Sequence, residues 1–126
     1  MAYPGKLFSL ALPFLFFFLS SASTITYNVQ KFGAKPDGKT DSTKAFLSAW
    51  AAACASVKSA TIYVPRGRYL LGAASFGGNK CKNNAIKISI DGTLVAPSND
   101  RTIGYAGNWL KFERVNGVTI SGGTLD

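Results

Sequence analysis

Hydrophobic and polar positions divide the chain into an apolar N-terminal segment, one amphipathic segment and a long remainder of short alternating runs. Residues 24–32, rich in β-branched and aromatic side chains, predict a strand that ends at the turn signal of residues 35–38. Intervals of three and four between apolar residues then predict a helix over residues 41–57, with Asp41 as its N-cap. The apolar face of this helix comprises Ala45, Phe46, Ala49, Trp50, Ala53, Cys54 and Val57.

From residue 61 onward, short β-rich runs alternate with glycine, proline and asparagine. Two runs match at a spacing of about 30 residues, with one extra glycine, Gly122 or Gly123, taking up a slip. The matched positions are Ile88, Ile90, Thr93 and Leu94 against Val118, Ile120, Thr124 and Leu125. This period predicts a solenoid of stacked coils, such as a parallel β-helix, whose open end the helix would cover. Periodicity alone leaves an antiparallel sandwich open.

The N-terminal segment is typical of a secretory signal peptide. Its one charge is Lys6, and residues 7–19 that follow contain a single polar side chain. As a helix, residues 7–19 would extend only ~20 Å, short of the ~30 Å hydrocarbon core of a membrane. We therefore expect residues 1–23 to be a signal peptide, cleaved near Ala22 or Ser23, and the chain to be secreted; an uncleaved membrane anchor is the alternative.

Charge and the lack of histidine restrict the classes of function. The 14 basic and 6 acidic residues give a net charge of +8, and loss of residues 1–23 removes Lys6 and no acid, which leaves +7. This excess favours a polyanionic partner, in a secreted protein an acidic polysaccharide or a membrane surface before nucleic acid, although solubility also explains it. With no histidine, the 126 residues cannot form a Ser-His-Asp triad, a Cys-His pair or an HExxH zinc site.

The chain has two cysteines, Cys54 and Cys81. An even pair in an oxidising compartment most often forms a disulfide, so we predict a Cys54–Cys81 bond, which would stabilise the fold by roughly 3–4 kcal/mol. The rival interpretation is a two-cysteine metal site, but the spacing is unsuitable and no third ligand is evident. We therefore predict no metal site.

Residues 33–40 satisfy the phosphate-loop pattern GxxxxGK[ST] between a predicted strand and a predicted helix. A phosphate cradle requires successive backbone N–H donors, but Pro36 has none, and Asp37 would place a carboxylate where the phosphate should lie. We therefore interpret the segment as a turn followed by a helix cap.

Candidate acid and base groups are limited to the carboxylates Asp37, Asp41, Asp91, Asp100, Glu113 and Asp126. Glycoside hydrolysis needs two carboxyl groups held across the substrate. Turns, a cap, a corner and neighbouring cations explain the first five, so we predict no catalytic residue in this chain. Among the aromatic residues, Trp109 is the best candidate for stacking on a sugar, although buried packing is the more frequent role.

Several motifs occur together along the chain: Phe32-Gly33-Ala34, Asp37-Gly38, Thr40-Asp41, Ala45-Phe46, Trp50, Cys54, Val64-Pro65, Gly67, residues 92–94, Ala96-Pro97 and residues 122–126. As a set they closely resemble the opening of plant-type polygalacturonases, pectin-cleaving enzymes of glycoside hydrolase family 28. The FGAxxDGxTD part alone is shared more loosely with other pectin-acting and phage β-helix proteins.

The resemblance implies an all-β, right-handed parallel β-helix. Residues 24–126 would form its N-terminal part, with the capping helix at about 41–57 and the first coils at about 61–126. It also implies inverting hydrolysis of α-1,4-galacturonan in the cell wall by a monomeric enzyme without metal or organic cofactor. The partner would be pectic polysaccharide, with no nucleic acid and, after signal cleavage, no membrane.

The catalytic motifs of the resembled family have no counterpart in this sequence. Asp126 belongs to the structural signature GGTLD, no Asp-Asp pair occurs, and residues 85–87 lack the arginine of the family's Arg-Ile-Lys motif. We therefore expect an N-terminal portion that stops before the catalytic coils and is inactive alone. The alternative is a short, non-catalytic pectin-binding or wall-associated protein.

Overall fold

A computed structural model describes residues 24–79, 81–98 and 108–126 of the chain. The predicted signal peptide lies outside these residues. The described elements are β1 (Ile25–Asn28), a 3-10 helix (Val29–Phe32), β2 (Asp37–Asp41), α1 (Thr43–Ala55), β3 (Ala60–Val64), β4 (Arg68–Leu70), β5 (Ala74–Gly77), β6 (Ile86–Val95), β7 (Leu110–Glu113) and β8 (Val118–Leu125). Within these ranges, no helix has the length and apolar character needed to cross a membrane.

All strand pairs of the described residues are parallel. β1, β3, β6 and β8 lie side by side, with Ile25, Ala60, Ile86 and Val118 at equivalent positions. β2 pairs with β4, β4 pairs with the later part of β6, and β5 and β7 form a separate pair. Described strands adjacent in sequence do not pair with each other, whereas strands one coil apart do. This confirms the predicted parallel β-helix over the antiparallel sandwich.

The core lies inside the coil, where alternate side chains of the strands point inward. In β6, Ile86, Ile88, Ile90 and Leu94 are buried, and burial of each such side chain contributes ~1.5–3 kcal/mol. Helix α1 packs its apolar face against the 3-10 helix, β1, β3 and β5. It therefore covers the N-terminal part of the core, as the amphipathic pattern predicts.

The predicted alignment of the two repeats is only half right. Thr93 pairs with Thr124 as expected, but Ile88 pairs with Ile120 rather than with Val118. The additional residue therefore lies in β6, where the register shifts between Ile90 and Thr93, and not among the glycines of β8. A two-residue displacement leaves every side chain on the same face of a strand, so the hydrophobic pattern cannot detect it.

Helix α1 is shorter than residues 41–57. Asp41 ends β2 and Ser42 is the N-cap, although the Asp41 carboxylate still accepts a hydrogen bond of 2.9 Å from the backbone N–H of Thr43. At the other end, Ser56 adopts an extended conformation and its hydroxyl accepts from the N–H of Lys58. Val57, predicted on the apolar face, is consequently 86% exposed.

The first strand is also shorter than predicted, since β1 ends at Asn28. The Asn28 side chain accepts a hydrogen bond of 2.9 Å from the N–H of Gln30, which begins the 3-10 helix. Gly33 ends that helix with a φ of +107°, a left-handed conformation that glycine adopts without steric cost. The local side-chain cap thus overrides the β propensity of the segment.

Candidate functional site

Five of the six candidate carboxylates lie in the described residues, and Asp100 lies outside them. The Asp37 carboxylate accepts hydrogen bonds from the backbone N–H groups of Lys39 and Thr40, at 2.9 and 2.8 Å, and from the Thr40 hydroxyl at 2.7 Å. These bonds, that of the Thr40 hydroxyl first, lower the pKa of Asp37 to about 2. The backbone N–H groups that a phosphate would require therefore already donate to the Asp37 carboxylate, in agreement with the turn interpretation.

Asp41 and Asp91 are also engaged by neighbouring side chains. Hydrogen bonds from Thr43, the hydroxyl first and then the backbone N–H, lower the pKa of Asp41. The Tyr63 hydroxyl donates to Asp91 at 2.8 Å, and this bond raises the pKa of Tyr63. Tyr63 lies on β3 and Asp91 on β6, so the contact joins two successive coils on the outer surface.

Glu113 and Asp126 form the two salt bridges found within the described residues. Lys111 pairs with Glu113 at 2.8 Å along β7, and its hydrogen bond and charge lower the pKa of Glu113. Arg68 of β4 reaches Asp126, just after β8, also at 2.8 Å. Both pairs are substantially exposed, so their contribution to stability is small.

The described part of the chain contains no group of three or more His, Cys, Asp or Glu side chains suited to a metal ion. Cys54 and Cys81 are instead joined in a disulfide, the pairing favoured by sequence over a two-cysteine metal site. Beside it, the Asn83 amide donates to the carbonyls of Ala53 and Lys58, at 3.1 and 2.7 Å. The disulfide and these bonds attach α1 to the chain that follows β5.

Trp109 packs as a structural residue rather than as an open sugar platform. It is half-buried against the core, and its indole N–H donates to the Leu71 carbonyl at 3.0 Å. The other tryptophan, Trp50, makes edge contacts with Phe76 and Phe112 at centroid distances of 5.6 and 5.9 Å. The geometry therefore favours the packing role for Trp109.

The open end of the coil is the largest departure from a closed core. β8 pairs with β6 on one side and with no other described strand. Its inward residues Ile120 and Leu125 are 51% and 63% exposed. They border an apolar cavity of about 250 Å³, lined also by Phe46, Ile62, Leu71, Phe76, Ile88, Ile90, Leu94, Leu110 and Phe112. This surface has the shape and the apolar character to receive a further coil.

Gly122, on β8, brings that strand close to β6 by its backbone conformation. Its φ is +76°, and a Cβ atom there would lie 2.6 Å from the Ile90 carbonyl oxygen. A larger residue would therefore be both strained and obstructed. The sequence pattern predicted that Gly122 or Gly123 is the extra residue of the repeat, whereas the extra residue lies in β6.

Comparison with known proteins identifies the family. A family model described as "Rhamnogalacturonase A/epimerase, pectate lyase-like" matches residues 26–103, more than half of the chain. The chain therefore belongs to this pectate lyase-like family.

Named relatives are polygalacturonases. The chain is 61% identical to a polygalacturonase of Prunus persica over 100% of its own length and 32% of the relative's. It is 44% identical to a polygalacturonase of Gossypium barbadense over 77% of this chain and 23% of the relative. Identity to an exopolygalacturonase of Zea mays is 40%, over 80% of this chain and 24% of the relative. The chain thus spans about a third or less of the length of these curated relatives.

Proposed function

We propose that this chain forms the N-terminal coils of a secreted polygalacturonase, an enzyme that hydrolyses α-1,4-galacturonan in the cell wall. The observation that carries the proposal is the 61% identity to the Prunus persica polygalacturonase along the whole chain. The parallel coil with an open last strand supports it, because such a coil is extended by stacking further coils on its free edge.

The proposed reaction is inverting hydrolysis by paired carboxyl groups, without a metal or organic cofactor. One carboxylic acid protonates the leaving oxygen while a carboxylate activates water on the opposite face of the sugar, at a separation of ~6.5–9.5 Å. The five described carboxylates already hold a turn, a helix start and contacts between or along strands. We therefore assign the acid and the base to coils beyond β8. This chain alone would be an inactive scaffold.

The role of the described residues is then to form the scaffold and to give it a positive charge. β8 presents unpaired backbone groups on which the next strand can align, and Ile120 and Leu125 offer it an apolar surface. The net charge of +7 without residues 1–23 would attract an anionic polysaccharide through long-range steering. We propose that the complete enzyme acts as a monomer on pectic polysaccharide.

A reducing-sugar assay on polygalacturonic acid tests the proposal. The protein of this sequence and a longer version that continues through the remaining coils are purified and compared at equal concentration. We expect sugar release from the longer protein only, and its loss when the aspartates of the added coils are replaced by asparagine. Turnover by the 126-residue chain would refute the assignment of catalysis to later coils, and an inactive longer protein would refute the polygalacturonase assignment.

The positive charge also favours a second candidate, a short non-catalytic protein that binds pectin in the wall. It predicts that the 126-residue chain is soluble, monomeric and retained on pectate in a salt-sensitive way. Sedimentation and retention on a pectate column at two salt concentrations distinguish the candidates, since a scaffold with an open last coil should self-associate. Secretion is tested separately by N-terminal sequencing of the exported protein, which should begin near Ser23 or Thr24.

A further inference from the structure

A second, smaller cavity lies between the segment that follows β5 and the segment that leads from β7 into β8. It has a volume of about 70 Å³. Two cationic and three amide residues contribute to its lining: Lys82, Arg114, Asn83, Asn84 and Asn116. None of these residues has a part in the proposed hydrolysis.

Arg114 has an unusual backbone at this cavity. With a φ of +53°, it is the one non-glycine residue in the left-handed region within the described ranges. Its carbonyl carbon would lie 2.9 Å from a Cβ atom built on Gly78, so the two segments are closely packed there. The guanidinium donates to the Asn79 side chain at 3.0 Å. Packing and this hydrogen bond together hold a strained arginine at the cavity, and such strain is concentrated at functional positions.

Arg114 forms no salt bridge within the described residues, although its charge, after the hydrogen bond and charge of Lys111, also lowers the pKa of Glu113. Glu113, adjacent to Arg114, is paired with Lys111 at 2.8 Å, whereas the observed partner of the Arg114 guanidinium is the neutral amide of Asn79. Asn83 is buried and its amide is used by the carbonyls of Ala53 and Lys58. Asn83 is therefore committed to the fold, and the exposed polar residues of the lining are Lys82, Arg114, Asn84 and Asn116.

We propose that this cavity binds a single carboxylate, that of a uronate residue in an acidic polysaccharide. Arg114 and Lys82 supply charged donors and the two asparagines neutral ones, and the guanidinium fork matches a carboxylate. The volume of about 70 Å³ exceeds the ~10–15 Å³ that one water needs but is far below the ~300 Å³ of pockets that enclose a whole ligand. The carboxylate would enter while the sugar ring stays outside.

The choice of a polysaccharide as the source of the carboxylate rests on the proposed function. The ability of the cavity to bind a carboxylate does not depend on that function. The lining contains no carboxylate, so the site would anchor the chain to a polymer rather than cleave it. An anchored enzyme would gain local concentration of substrate through the second contact.

Titration of the isotopically labelled longer protein, the one used in the sugar-release assay, by nuclear magnetic resonance tests the site, with tetragalacturonate, monomeric galacturonate and inorganic phosphate as separate probes. We expect tetragalacturonate to shift the backbone amides of Lys82, Asn84, Arg114 and Asn116 together. Arg114→Gly removes the guanidinium and relieves the left-handed backbone, so it should keep the fold and weaken binding about tenfold. Arg114→Lys should bind with intermediate affinity.

The matched control is Lys87→Ala, which removes the same charge from an exposed position on β6 and should leave the affinity unchanged. Equal weakening by Lys87→Ala, or shifts spread over all lysines, would overturn the site in favour of general charge attraction. Equal affinity for phosphate would overturn the uronate assignment. If Arg114→Gly does not fold, Lys82→Ala must weaken binding at least threefold for the site to stand. An inactive longer protein whose cavity amides still respond to tetragalacturonate would refute the proposed hydrolase and retain the site.

Discussion

The inner strand β6 and the open edge strand β8 contain equivalent residues with opposite exposure. Ile88 and Ile120 are paired in register on adjacent strands, yet they are 7% and 51% exposed. Leu94 and Leu125 are likewise paired, at 5% and 63%. The side chains are the same and the strand geometry is nearly so. Burial in this fold is therefore supplied by the next coil, and the stabilising value of a residue depends on how many coils flank it.

The largest expected effect of a substitution lies at the capped end, at Trp50. This side chain is buried, contacts Phe76 and Phe112 and donates to the Gly77 carbonyl at 2.9 Å. Trp50→Ala should lower the free energy of unfolding by about 3–5 kcal/mol, whereas Leu125→Ala at the open end should change it by less than about 0.5 kcal/mol. Urea unfolding followed by circular dichroism measures both, and equal losses would remove the distinction between the two ends.

Loss of the disulfide should come next. Cys54→Ala combined with Cys81→Ala should lower the free energy of unfolding by about 3–4 kcal/mol, because the unfolded chain is no longer constrained. Thermal unfolding of the variant, and of the wild type with and without reductant, provides the measurement. The reduced wild type should unfold like the variant; a variant as stable as the oxidised wild type would show that α1 needs no covalent attachment.

A smaller effect is expected when one methylene group is removed from either of two isoleucines that pair in register. Ile88→Val should cost about 0.5–1.5 kcal/mol because the group is buried, and Ile120→Val should cost clearly less because half of that side chain meets solvent. Both changes keep a β-branched residue in a strand. Chemical denaturation of the two variants in parallel sharpens the comparison of coils. If a longer protein covers β8, the two losses should become equal there.

The smallest effect concerns Asp37, at the corner beside the cap. Its pKa is lowered from 3.8 to about 2, first by the Thr40 hydroxyl, so Thr40→Val should raise the pKa toward the ordinary value. Since the folded pKa is the lower one, this group contributes stability above about pH 4, and the contribution is lost as the pH falls through about 2. Carboxyl carbon shifts of Asp37 during a pH titration give the measurement. Thr119→Val, at an exposed position on β8, should leave this pKa unchanged.

Sequence patterns record which side chains face inward, but alone they left an antiparallel sandwich open, and the resemblance to the polygalacturonases was needed to favour the parallel β-helix. Residues 61–126 alternate and repeat as stacked strands do, and the spacing of Phe46 and Trp50 identified α1. Boundaries were less accessible, since they depend on single hydrogen bonds such as those that stop the first strand at Asn28 and the helix before Val57. The register of the repeats was beyond reach, because a shift of two residues preserves the alternation.

The chemistry of individual residues was predictable only where it is local. The turn role of Asp37 follows from its neighbours in sequence, and the structure places its partners two and three residues away. The contacts Tyr63–Asp91 and Arg68–Asp126 join different coils, and no sequence signal indicated them. The backbone strain of Arg114 likewise arises from packing against Gly78, a partner that only the coil brings near.

The position of the disulfide has a consequence for biosynthesis. Both Cys54 and Cys81 precede β6 in the chain, so the bond can close while the later strands are still being synthesised. Synthesis proceeds from the N-terminus, and repeat proteins fold by propagation from an ordered neighbour. The covalently secured helix and first strands therefore form a seed, and later coils can be added to it vectorially in the order in which they are translated.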